Sequence, residues 1–120
     1  MLLWVMLAGG LGSGARYLIG VSLAGAAFPY ATIIVNIAGS FLLALVAQFA
    51  LHGSIGPEAR TVIAVGFLGG FTTYSSFNQE TLTLFASGAT GAAMLNVAIT
   101  LAGGLAAGAL GLTAGRFLTT

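Results

Sequence analysis

The residues most able to do chemistry lie between Gly66 and Glu80, in the run Gly66-Phe67-Leu68-Gly69-Gly70-Phe71-Thr72-Thr73-Tyr74-Ser75-Ser76-Phe77-Asn78-Gln79-Glu80. Adjacent glycines followed by paired threonines and paired serines hold a continuous helix poorly. Glycine is permissive, and the hydroxyls compete for backbone partners. A break from Gly69 to Thr72 frees carbonyl oxygens, and freed carbonyls can coordinate a cation such as sodium. Beyond the break Tyr74 and Phe77 share one helix face. Thr73, Phe77 and Glu80 continue that stripe, as do Ser76 and Glu80. Ring edges carry partial positive charge. This face therefore serves either as aromatic packing or as a path for a small anion that ends in a carboxylate.

Other polar groups are few. Asn36, with Ser40 one turn on, sits in an otherwise apolar run. It fits an interhelical hydrogen bond and a donor on a polar track equally. Asn96 and Thr100 are one turn apart, followed on the same face by Gly104 and Gly108. That stripe suits a pore wall or a packing face. Arg16 either snorkels to the interface or attracts an anion at a pore mouth. His52 falls in a loop without a second ligand nearby, which argues against a metal site there. Catalysis fares badly: the sequence has no Cys and no Asp, and Glu80 is the only acid within the apolar runs. General acid–base chemistry needs positioned groups of suitable pKa, and a lone carboxylate with hydroxyls is a thin set.

The elements that carry these residues follow from composition. Hydrophobic residues make up 58% of the 120, and charged residues only 4%. A water-soluble domain carries roughly a quarter charged residues, so lipid must be the solvent for most of this surface. A spanning helix takes about 20 residues. Four apolar runs are predicted as spans, at about 2–24, 31–51, 59–85 and 90–117, in a single membrane domain. Phe28-Pro29-Tyr30 breaks the first pair, and Pro57-Glu58 reads as a helix opening, with proline in the first turn and an acid at the positive dipole end. The first run lacks the basic flank of a signal peptide and is followed by further spans. No basic patch points to nucleic acid.

Four spans place both termini on one side. Arg60 and Arg116 lie on that side and Arg16 toward the other, with no lysine anywhere. So slight a bias permits insertion in both orientations and hence an antiparallel homodimer, in which two breaks would meet on the axis and share one ion. Balanced counts also arise by chance in short loops. The 19 glycines include pairs at four-residue spacing, Gly10 and Gly14, Gly66 and Gly70, Gly104 and Gly108, Gly111 and Gly115. Small residues so spaced let helices approach closely in lipid.

Three stretches, Gly9-Gly10-Leu11-Gly12-Ser13-Gly14-Ala15-Arg16-Tyr17, Thr32-Ile33-Ile34-Val35-Asn36-Ile37-Ala38-Gly39-Ser40, and Gly66 to Phe77, resemble the signature stretches of the bacterial fluoride channels, the CrcB/Fluc family. The resemblance implies an all-α membrane protein with a broken third helix, forming a dual-topology antiparallel homodimer in the inner membrane. It implies two pores passing fluoride passively out of the cytoplasm, and a structural sodium (Na+) at the dimer centre. By matching motif positions, the backbone carbonyls of Gly69 and Thr72 would hold that sodium. Tyr74 and Phe77 take the places of the two pore phenylalanines, and Asn36 that of the pore asparagine. Thr73, Ser76, Glu80 and Thr100 fall along the fluoride path, and Arg16 matches the arginine of the first span. Two departures stand out: Tyr74 where the family usually has Phe, and Asn96 where some members carry tyrosine. The competing readings are a small multidrug-type secondary transporter, which would need an acid in the first span, and an assembly subunit without transport of its own.

Overall fold

The computed structural model describes residues 1–120, all of its regular structure helical. Helix α1 (Leu2–Ser22) and α2 (Tyr30–Leu51) are joined through the Phe28-Pro29 turn. Helix α3 (Pro57–Thr61) starts with proline at its first position and Glu58 in its first turn, as the sequence predicts. It runs without a gap into a π-helical segment (Val62–Leu68) and a last α turn, α4 (Gly69–Phe71). After Thr72 and Thr73 the chain resumes as α5 (Tyr74–Ala86), and α6 (Thr90–Thr119) completes the bundle. Helix α1, α2 and α6 are each long and apolar enough to cross a membrane. The ends of α2 and α5 close alike. Gly53 and Gly88 adopt φ of 72° and 82°, and the following amides reach back, Ser54 to the Phe49 carbonyl (2.8 Å) and Ala89 to that of Leu84 (2.9 Å). Only glycine takes that left-handed turn without penalty.

The two extended residues are Thr72 (φ −81°, ψ 158°) and Thr73 (φ −154°, ψ 114°). The sequence placed the interruption on Gly69 to Thr72, yet Gly69 keeps helical angles (φ −63°, ψ −36°). The hydroxyls, not the glycines, carry the departure. Thr73 caps α5 by accepting the Ser76 amide on its Oγ1 at 3.2 Å, the N-cap geometry that threonine favours. The glycines serve a different end: a Cβ on Gly70 would overlap the Gly9 carbonyl, and one on Gly12 would overlap the Phe67 carbonyl. Helix α1 therefore lies backbone to backbone on residues 66–71.

Helix α2 packs chiefly on α6 by the same means, with Gly111 against the Phe41 carbonyl and Gly115 against Gln48. Of the paired glycines, Gly66, Gly70, Gly111 and Gly115 make these intrachain approaches, while Gly10 and Gly14 face open space. Val35, Leu68 and Phe71 form the small central core, with Phe67 and Phe71 stacked at 5.9 Å. Only 16 of 120 residues are buried, and Trp4, Leu11, Leu105 and Phe117 are among many large apolar side chains left exposed. Water would not tolerate so much apolar surface; hydrocarbon would.

Candidate functional site

The interruption is built from three side chains. Asn36 of α2 donates from Nδ2 to the Thr73 carbonyl (2.9 Å) and accepts the Thr73 amide on Oδ1 (2.8 Å). One amide side chain thus satisfies both backbone groups of an extended residue, and it can do so in only one orientation. In a continuous helix the Thr73 amide would bond the Gly69 carbonyl, and the Ser76 amide the Thr72 carbonyl. Both amides are diverted, one to Asn36 and the other to the Thr73 hydroxyl. The carbonyls of Gly69 and Thr72 lose those partners, as those of Gly70 and Phe71 lose the amides of Tyr74 and Ser75. The Gly70 carbonyl, which also lies in that turn, is met by the Ser13 hydroxyl of α1 at 3.3 Å.

Two cavities flank this point, and Thr73 lines both. The first, about 350 Å³, gathers Asn36, Gly69, Thr72, Tyr74, Phe77 and Thr100. Its hydroxyls are engaged by the protein: Ser40 donates to the Asn36 carbonyl (2.7 Å), Thr72 to the Leu68 carbonyl (2.9 Å), Thr73 to Ser76 Oγ (3.1 Å) and Thr100 to Asn96 Oδ1 (3.4 Å). Their hydrogens are thus committed within the bundle. The donors that remain are the second N–H of Asn36, the Tyr74 hydroxyl and the ring edges. Tyr74 and Phe77 lie 5.9 Å apart at 54°, and Tyr74 is 76% exposed.

The second cavity, about 460 Å³, holds Arg16, Tyr17, Thr32, Ser76 and Glu80. Thr32 donates to Glu80 Oε1 at 2.7 Å, while Glu80 Oε2 is buried without a partner. The guanidinium and free hydroxyls make this the donor-rich side. The ten candidate positions are therefore divided by the fold. Asn36, Gly69, Thr72, Tyr74, Phe77 and Thr100 face one space, Arg16, Ser76 and Glu80 the other, and Thr73 stands between.

Two polar residues had escaped notice. Thr32 precedes Asn36 by one turn, so Thr32, Asn36 and Ser40 form one stripe on α2, a spacing visible in the sequence. Thr81 is the only buried residue of α5 and accepts a hydrogen bond from Asn96, itself fully buried, at 2.9 Å. His52 bonds the Gln48 carbonyl at 3.0 Å at the end of its own helix.

A helical bundle with a largely apolar exterior and three helices long and apolar enough to cross a membrane defines a multi-pass membrane protein. A sequence profile described as "CrcB-like protein, Camphor Resistance (CrcB)" matches residues 3–112. Relatives named "Fluoride-specific ion channel FluC" are similar over most of their length. That of Shewanella woodyi is 44% identical over 103 residues, covering 83% of each chain. That of Thermus thermophilus is 48% identical over 96 residues, 78% of this chain and 77% of its own. That of Sorangium cellulosum is 43% identical over 121 residues, 96% and 94%. The chain belongs to the CrcB-like family. The resemblance drawn from the three sequence stretches is thereby established, and the named relatives are channels rather than enzymes.

Proposed function

We propose that this chain is a fluoride-selective channel that lets fluoride leave the cytoplasm passively across the inner membrane. The observation that carries the reading is the pair of cavities that share Thr73 as a lining residue in an otherwise apolar bundle. Fluoride holds its water tightly. A pore must replace that water with donors while staying too specific for chloride. Arg16 draws the anion to the second cavity. Ser76, Thr73, Glu80 and Thr100 line its way, Asn36 offers its free N–H, and the edges of Phe77 and Tyr74 meet the ion where few other donors remain. The name shared by the relatives supports the choice of ion.

The broken third helix, 57–86, acts as one span beside α1, α2 and α6, so that both termini share a side. Two chains assemble antiparallel, each insertion orientation supplying one, and the dimer carries two pores. The exposed Tyr74 and the open first cavity support a second copy covering that face. The donor chemistry there suits a small hard cation, because the released carbonyls of Gly69 and Thr72 are neutral oxygen ligands. A structural sodium held by these two residues from each chain would supply fixed positive charge to the dimer centre.

Purified protein reconstituted alone in liposomes should release fluoride and retain chloride. Chloride efflux at a comparable rate would overturn the selectivity, and no fluoride efflux would overturn the function.

A further inference from the structure

Helix α5 carries Tyr74, Ser76, Phe77 and Glu80, yet it buries only one residue, Thr81. That residue is tied in both directions. Its Oγ1 donates to the Phe77 carbonyl at 2.7 Å and accepts from Asn96 Nδ2 of α6 at 2.9 Å. Asn96 is fully enclosed (0% exposed), and its Oδ1 accepts the Thr100 hydroxyl at 3.4 Å. An enclosed amide in a membrane bundle has no water to fall back on, so its protein partners define its place. Two amide clamps thus hold α5: Asn36 grips its first residue boundary at Thr73, and Asn96 grips it about two turns further on, at Thr81. Phe77 lies midway between the clamps. With the second clamp released, α5 keeps its ties to α2, the Asn36 clamp and the Thr32–Glu80 bond, but loses its buried tie to α6, and the Phe77 ring is the side chain displaced.

We propose that Asn96 is a positioning residue which, through Thr81, fixes the roll of α5 and so the placement of the Phe77 ring in the first cavity. It rests on the channel reading for its consequence in transport, but the placement itself is a property of the folded chain. By this logic Thr100, which lines the first cavity, is coupled to the same network, its hydroxyl hydrogen committed to Asn96.

The test uses the full chain with 4-fluorophenylalanine incorporated at position 77, read by fluorine NMR, alongside fluoride efflux from liposomes. Asn96→Ala and Thr81→Val should each move the resonance in the same direction and slow efflux about tenfold, the scale of one strong interhelical bond in a membrane protein. The double variant should do no more than either alone, whereas Thr81→Ser, which keeps the hydroxyl, should restore the parent signal and rate. A resonance unchanged in both single variants overturns the proposal, as do single-variant losses that multiply in the double. If Asn96→Ala does not give folded protein, Thr81→Val and Thr81→Ser decide the matter. If the parent passes no fluoride, the channel reading fails while the resonance still decides the role of Asn96.

Discussion

The two cavities beside Thr73 are opposite in character although they share a wall. In the first, four hydroxyls spend their hydrogens on acceptors within the bundle, and two lining residues, Gly69 and Thr72, have carbonyls without their helical partners. The second has a guanidinium, uncommitted hydroxyls and one carboxylate already bonded by Thr32. Hydroxyls are ambivalent groups, able to donate or accept. What separates the two spaces is where the neighbouring acceptors sit. In the first, each serine and threonine hydroxyl finds an acceptor within the bundle, and only the Tyr74 hydroxyl stays free to donate. The lesson is that counting Ser and Thr along a path does not reveal its polarity; their partners do.

The comparison can be broken or sharpened by substitution. The largest effect is expected from Asn36→Leu, which unfastens Thr73, the residue that lines both cavities. Two backbone groups of Thr73 lose their partners, at about 1–3 kcal/mol each. Thermal unfolding should fall sharply and fluoride efflux should be abolished; a stable, conducting variant would show that Thr73 needs no clamp. Next, Phe77→Ile deletes the aromatic edge from the first cavity alone. Flux should drop by about a hundredfold, the scale set by loss of a placed electrostatic donor, while size-exclusion still reports the parent assembly. Normal flux would remove Phe77 from the path.

In the second cavity Arg16→Gln should slow efflux about tenfold at low ionic strength and less in high salt, because steering is screened. An effect independent of salt would place Arg16 in packing instead. Thr32→Val leaves Glu80 without its donor and should cost about 0.6–1.7 kcal/mol, the range for hydrogen bonds between membrane helices, read as a modest shift in unfolding. The smallest change is expected from Tyr74→Phe: ring edges remain, and flux should stay within about twofold of the parent. A large loss would assign the phenol hydroxyl a donor role that the ring edge cannot replace.

Much of this was legible in the residues. Apolar runs marked the helices, Pro57 marked the start of α3, and the hydroxyl-rich segment marked the interruption. Its location was off by a step, because glycine reads as a breaker by propensity while here Gly70 is helical and serves to admit the Gly9 carbonyl. Close approach is a property of two helices, and one sequence position does not disclose its neighbour. The π segment 62–68 left no mark either, since Val-Ile-Ala-Val-Gly-Phe-Leu suits an α-helix as well. Asn96 meets Thr81 across two helices, and the contrast between the two cavities lies in which atom each hydroxyl meets. Both are facts of tertiary contact that periodicity does not encode.

The pairing of helices has a consequence for how the chain is made. Helix α1 rests on the segment that follows α2, and α2 rests on α6, whereas α1 and α2 touch little. Each helix therefore finds its main companion only after another has been synthesised. As the ribosome delivers the chain, the packing faces of α1 and α2 must wait in lipid until later segments arrive. Helix α2 waits longest, because its companion is the last to emerge. Packing thus closes in two stages, α1 on residues 62–71 and then α2 on α6, and a chain cut short before α6 would leave α2 and the Asn36 it carries without the companion it mainly packs on.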